Sequence, residues 1–173
     1  MMYFLDFDRT AFDTDRFAEY LRERFSGTDI AELIGVEFSA HMDRLVGTGE
    51  LTFAPGELTQ FLYEDAGRFL RDKENGVMLL TFGNPAFQKE KIESALYGIP
   101  RITTIYTGEK RKGEFMAPHM SMYGANPVFV DDTPLELELL ATYAPDAVLY
   151  EMRRNKATGD GRWHTITTLS ELP

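Results

Sequence analysis

Met1-Met2-Tyr3-Phe4-Leu5-Asp6-Phe7-Asp8-Arg9-Thr10 is the stretch on which the fold turns. Its apolar start runs without interruption into Asp6. A short, wholly apolar run reads as a strand buried on both faces, the pattern of a parallel sheet. Similar runs recur at 77–81, 102–106, 128–130 and 147–150. Helical patterns lie between them. Phe87, Ile92, Ala95 and Leu96 fall at helical spacing over 85–97, and Gly98 supplies a stop. Thr133-Pro134-Leu135-Glu136 has the order of a capping box with proline at the first helical position, which predicts a helix through Leu140. Strands alternating with such helices predict an α/β fold with a mainly parallel sheet.

Residues 13–75 break that rhythm and hold no convincing strand. Phe17, Tyr20, Leu21 and Phe25 share one helical face, and Leu58, Phe61, Leu62, Phe69 and Leu70 form a second stripe. Shorter helical pieces at 30–34 and 37–45 are separated by Gly35 and followed by the Gly47-Thr48-Gly49 turn. The reading is an all-helical insertion after the first strand. The alternative is two crossover helices with an elaborate loop, but a crossover normally needs far fewer residues.

With 173 residues, 43% hydrophobic and 13% aromatic, the chain suffices for one domain with a modest insertion. Eighteen basic against twenty-eight acidic side chains leave a net charge of −10. That balance disfavours phosphate-backbone or anionic-membrane binding, which needs clustered Lys and Arg. The absence of cysteine excludes disulfides, thiolate nucleophiles and Cys-ligated metal sites. No basic signal region precedes Asp6 and no apolar run approaches a membrane span, so a cytoplasmic protein is expected.

The chemistry gathers at the ends of the apolar runs. In an open α/β sheet the carboxyl edge is where ligands bind, and Asp6 and Asp8, two apart in extended chain, can face one site. Thr81 ends the second run, within Leu79-Leu80-Thr81-Phe82-Gly83-Asn84, so its hydroxyl and the amides after it could hold an anion. Lys112 opens a candidate helix, Lys112-Gly113-Glu114-Phe115-Met116. Asp131 and Asp132 directly follow Val128-Phe129-Val130. Each taken alone has an ordinary explanation, such as a helix cap, a strand-end threonine or a solvated lysine.

Taken in order, Asp6-x-Asp8-x-Thr10, Thr81, Lys112 and Asp131-Asp132 resemble the haloacid dehalogenase (HAD)-like hydrolase superfamily over nearly the whole chain. The resemblance implies a Rossmann-like three-layer core from 1–12 and 76–173, with 13–75 as a small all-helical cap of the C1 type. It implies a Mg²⁺-dependent phosphatase acting on a small phosphorylated metabolite. Asp6 would be the nucleophile, forming an aspartyl-phosphate. Asp6 and Asp131 would ligate the metal with the backbone carbonyl of Asp8, and Asp132 would support it. Thr81, with Gly83 and Asn84, would bind the phosphoryl oxygens, and Lys112 would offset charge on nucleophile and phosphate. Asp8 would protonate the leaving oxygen and then deprotonate water; a dehalogenase needs no such acid, so Asp8 favours ester hydrolysis. Arg9 stands where the family commonly has a small residue. Lys110 is an alternative to Lys112, which has the helix-opening context.

Two other readings stay open, a phosphomutase and a non-catalytic binding module on the same fold. The cap is the expected seat of specificity, with Arg16, Tyr20, Arg22, Arg44 and Phe53 as contributors. His41, His119 and His164 are too scattered for a metal site. Met116, Met120 and Met122 read as packing. Arg153-Arg154-x-Lys156 could attract an anionic substrate but reads first as a solvated charge run, and a last strand is expected at 165–167.

Overall fold

The computed structural model describes residues 1–33, 35–73, 76–99, 102–155, 159 and 161–173. Six strands form one sheet: β1 (Tyr3–Leu5), β2 (Val77–Thr81), β3 (Thr103–Tyr106), β4 (Val128–Asp131), β5 (Val148–Met152) and β6 (His164–Ile166). Their order is β3-β2-β1-β4-β5-β6, and every neighbouring pair is parallel. Helices α1 (Thr14–Arg24), α2 (Gly35–Gly47), α3 (Glu64–Asp72), α4 (Pro85–Ala95), α5 (Lys112–Met116) and α6 (Pro134–Tyr143) complete the α/β, Rossmann-like layers.

The apolar first strand follows from its position. β1 lies between β2 and β4, with Tyr3 opposite Val77 and Val128. Alternate side chains leave a strand on opposite faces. Tyr3 and Leu5 join the core that contains Leu79, Ile92 and Val130, while Phe4 joins the one built with Phe129, Met116, Leu137 and Leu140. Both faces are covered, so neither tolerates a polar residue. The chain builds β2 and β3 outward on one side of β1, then returns to build β4, β5 and β6 on the other. Its carboxyl edge beside β1 is therefore a switch point where a crevice opens.

The helical stretch has α1, α2 and α3 and two short 3₁₀ turns, with no strand among its described residues. Asp13 caps α1, its Oδ1 accepting from the Arg16 amide at 3.1 Å. The second apolar stripe is not one helix. Leu62 and Tyr63 are extended, because Leu62 bridges to Phe12 and the Tyr63 amide donates to the Ala11 carbonyl at 3.0 Å. Phe12, Phe17, Phe61 and Phe69 belong to the same buried cluster as Tyr3 and Leu5. Ser94 of α4 fastens the stretch to the core: its Oγ donates to the Ala54 carbonyl at 2.7 Å and accepts from the Leu58 amide at 3.2 Å. Ile34, Asn75 and Lys156, named above from the sequence, lie outside the described residues.

Two expectations are corrected. Thr133 does not form a capping box, since its hydroxyl donates to Asp132 and Glu136 faces α5 instead. Arg154 is not solvated. It is buried over the Tyr63 ring, with donors on the Thr10 and Thr167 carbonyls and on Asp65. Arg153 is mostly buried and pairs with Glu151.

Candidate active site

β1 and β4 end side by side, which sets Asp6 next to Asp131 and Asp132. Asp6 and Asp131 are 5% and 2% exposed. One carboxylate oxygen from each of the three aspartates lies within 4.8 Å of the others. Lys112, 3% exposed, reaches between them, its Nζ donating to Asp6 Oδ1 at 2.5 Å and Asp131 Oδ2 at 2.6 Å. Lys110 is exposed.

A lysine can be brought so deep because Gly113 allows it. A Cβ on Gly113 would stand 2.6 Å from the Leu139 backbone carbon, so only glycine lets α5 lie against α6 this closely. Glu136 of α6 then receives the Lys112 amide at 2.9 Å and Arg111 Nη1 at 2.9 Å, fixing the start of α5. Asp131 Oδ1 accepts from the Thr133 amide at 2.9 Å.

The electrostatics follow from counting charges. Burial pushes the Asp6 carboxyl well up; Lys112 opposes this, while Asp131, Asp8 and Asp132 add to it. Burial and then Asp131 likewise raise Asp132. Burial alone would pull Lys112 down, but Asp131 and Asp6 overcome it, so the ammonium is held more firmly than usual.

Asp8 takes different partners. Lys91 of α4, 2% exposed, donates to Asp8 Oδ1 at 2.6 Å and Oδ2 at 2.8 Å. Gln88 Nε2 adds a bond to Oδ2 at 2.9 Å, and Thr14 Oγ1 one to Oδ1 at 2.7 Å. Burial raises this carboxyl, but Lys91, then Thr14 and Gln88, outweigh it and leave it below the usual range. The Lys91 ammonium also lies over the Phe7, Phe12 and Phe87 rings at 5.5–5.6 Å.

A cavity of about 300 Å³ opens onto Asp6, Asp8, Arg9, Lys112 and Asp132, with Phe82 and Arg111 at its wall. Thr81, Gly83 and Asn84 do not line it. Thr81 is buried and its hydroxyl has no partner among the described residues. The Gly83 amide is spent on the Gly108 carbonyl, and Asn84 Oδ1 caps α4 through the Ala86 amide at 2.9 Å. Nor do the named cap residues reach the cavity. Arg16 and Arg22 stack on Phe61 and Phe38, Tyr20 donates to Glu57, Arg44 pairs with Glu50, and Phe53 is buried.

Sequence reading missed Lys91, Gln88, Glu136 and Arg111. Gln88, Lys91, Ile92 and Ala95 recur at three- and four-residue steps, so a shared buried face was readable in principle. The two polar members disguised it. Nothing in the sequence flags Arg111.

The donors suit a hard divalent cation. They are carboxylate oxygens, they converge, and Asp6 Oδ2 is buried without a partner among the described residues. Burial first, and the neighbouring carboxylates after it, raise Asp6 and Asp132, and such a cation would relieve the charge they share.

No family model and no curated protein matches the chain. Solved structures do. A protein of Burkholderia xenovorans described as a haloacid dehalogenase-like hydrolase aligns with TM-score 0.61 at 17% identity, over 88% of this chain and 81% of that one. A dehalogenase captured with an intermediate aligns with TM-score 0.64 at 14% identity, over 99% and 94%. YfnB of Bacillus subtilis, described as a HAD-hydrolase and bound to magnesium, aligns with TM-score 0.61 at 14% identity, over 99% and 96%. The fold is thus the one these HAD-like hydrolases and dehalogenases share.

Proposed function

We propose that the protein is a Mg²⁺-dependent phosphatase that hydrolyses a small phosphorylated metabolite through an aspartyl-phosphate on Asp6. The observation that carries this reading is the buried bridge from Asp6 through Lys112 to Asp131, with Asp132 beside it. Asp6, Asp131 and the Asp8 carbonyl would hold the metal, supported by Asp132. When bound, it supplies neutralisation of charge between the carboxylates and the phosphoryl oxygens.

In the first half-reaction an Asp6 oxygen attacks phosphorus, and the bond to the leaving oxygen breaks with its electron pair going to that oxygen. Lys112 offsets the charge gathering there. In the second half water attacks phosphorus and the bond to Asp6 breaks. Asp8 takes the water's proton, and inorganic phosphate departs. The proton gained by Asp8 is the one it gives to a leaving oxygen in the next cycle. Lys91 favours the ionised carboxyl and so biases Asp8 toward the base half of this role. Thr81 would donate to a phosphoryl oxygen through its hydroxyl, which has no partner among the described residues.

On this reading residues 13–75 are the C1-type cap and the rest is the catalytic core. The partner is a small phosphorylated molecule in the cytoplasm rather than nucleic acid or membrane. The charge of −10 supports that, and no described helix is long and apolar enough to cross a membrane.

The test is phosphate release from a panel of small phosphate esters, with Mg²⁺ or EDTA, for wild type and Asp6→Asn. Mg²⁺-dependent release that disappears in the variant is expected. Activity that survives Asp6→Asn, or halide release from 2-haloacids without phosphate release from any ester, would overturn the reading. Return of the phosphoryl group to substrate without free phosphate would make the enzyme a phosphomutase.

A further inference from the structure

Arg9 occupies a left-handed backbone conformation, φ 58°, in the loop after β1. Side chains with a Cβ are strained there, and glycine is not. The local contacts do not explain why an arginine is kept. Its Nε and Nη2 donate to Asp15 Oδ1 at 3.2 and 2.9 Å, but both side chains are about three-fifths exposed, and such surface pairs contribute little.

Its position does. Beside the cavity that holds Asp6 and Lys112 lies a second, of about 290 Å³, lined by Tyr63, Arg153, Arg154 and Asn155 among others. Arg9 and Asp132 line both cavities. The two cavities therefore adjoin at Arg9 and Asp132, and the exposed Arg9 side chain is within reach of a molecule whose phosphoryl group meets Asp6. The cations around that cavity differ in what they have left to offer. Arg154 is committed to Thr10, Asp65 and Thr167. Arg153 pairs with the fully buried Glu151, although its Nε has no partner among the described residues. Among the described residues, Arg9 is the one of the three whose guanidinium is held by an exposed carboxylate alone. A substrate anion can replace Asp15 on that guanidinium at small cost.

We propose that the second cavity is the leaving-group subsite, and that Arg9 selects substrates whose leaving group carries its own anion, a carboxylate or a second phosphate. This rests on the phosphatase reading. Arg9 is here a specificity-determining residue. A planar guanidinium suits either anion, because both present two oxygens to its paired N–H groups.

The experiment measures kcat and KM of the full chain with Mg²⁺ on three matched esters. They are 2-hydroxyethyl phosphate, phosphoglycolate and 1,3-propanediol bisphosphate, with neutral, carboxylate and phosphate leaving groups. Wild type should prefer one charged ester over the neutral one by about tenfold or more in kcat/KM, mainly through KM, and the preferred ester identifies the anion. Arg9→Gln should reduce that preference by about tenfold, and Arg9→Lys should restore part of it. Asp15→Asn, which releases Arg9, should lower KM for the charged esters. Arg9→Gly should lose the preference while gaining thermal stability. A turn-stabilising arginine would instead lose stability and keep the preference, which would overturn the proposal. Equal kcat/KM for all three esters would also overturn it while leaving the phosphatase standing. Release from neither charged ester while other esters of the panel are hydrolysed would overturn the subsite alone, and release from no ester at all would remove the phosphatase reading with it.

Discussion

Two lysine–carboxylate centres stand at the same sheet edge, and they are biased in opposite directions. At one, Lys112 is shared by Asp6 and Asp131 with Asp132 close by, and Asp6 is pushed up. At the other, Lys91 bonds both oxygens of Asp8, helped by Gln88 and Thr14, and Asp8 is pushed down. The residue types are the same. The difference is the number of anions per cation and the number of neutral donors. The first centre is left with surplus negative charge, which suits a site meant to receive a cation. The second is electrostatically closed, which suits a carboxylate that is to act as a base.

The strongest way to break this contrast is Lys112→Met. It leaves Asp6 and Asp131 buried and unpaired, so unfolding free energy should fall by about 3–5 kcal/mol at pH 7, read from urea denaturation. Mg²⁺ should recover part of that loss, and EDTA should abolish the recovery. An unchanged urea midpoint would show that the bridge is not a stabilising element.

Gly113→Ala should perturb the first centre without touching a charge. The added methyl meets Leu139 backbone, which cannot yield as a flexible side chain would. A loss of about 1–3 kcal/mol is expected. On the proposed function, phosphate release should fall with it as Lys112 is displaced. Unaltered activity would mean that α5 can shift without moving the ammonium.

Lys91→Met tests the second centre, where Asp8 retains some solvent contact, its side chain being 28% exposed. The loss at pH 7 should be nearer 1–3 kcal/mol. Its pH dependence has a definite sign. The folded-state value of Asp8 is depressed, so its contribution is fully present above the unfolded value near 3.9 and fades as pH falls through the folded value. The stability gap between wild type and variant should therefore be constant near neutrality and close progressively below about pH 4. A gap that widens in acid would contradict the ion pair.

The smallest effect belongs to the exposed pair of Arg9 and Asp15. Asp15→Asn should change stability by less than about 1 kcal/mol, so that any change in KM is read on an intact fold. A larger loss would give the pair the structural role argued against above.

Much of the fold was legible because its constraints are local. The run Tyr3-Phe4-Leu5 announces a strand covered on both faces, and Pro85 and Pro134 mark helix starts at the residues where α4 and α6 begin. The candidate acidic residues could be found because strand ends bring Asp6 and Asp131 to one edge whatever lies between them. Local pattern failed where a side chain chose a distant partner. Glu136 sits three residues after Thr133, as a capping box requires, yet it serves Arg111 and Lys112 across the helix pair. Arg154 reads as surface charge, but it stacks on the Tyr63 ring and ties Thr10 to Asp65.

Sequence alone therefore determined the strand–helix alternation, the presence of helices between the first two strands and the residues carrying carboxylates to the sheet edge. Each follows from periodicity or from the geometry of a strand end. Only the tertiary structure decided which cation each carboxylate meets and how closely α5 approaches α6. It also decided that Arg9 stands between two cavities. The reason is range: backbone preference acts over a few residues, whereas Asp8 and Lys91, 83 residues apart, meet only once the chain has packed.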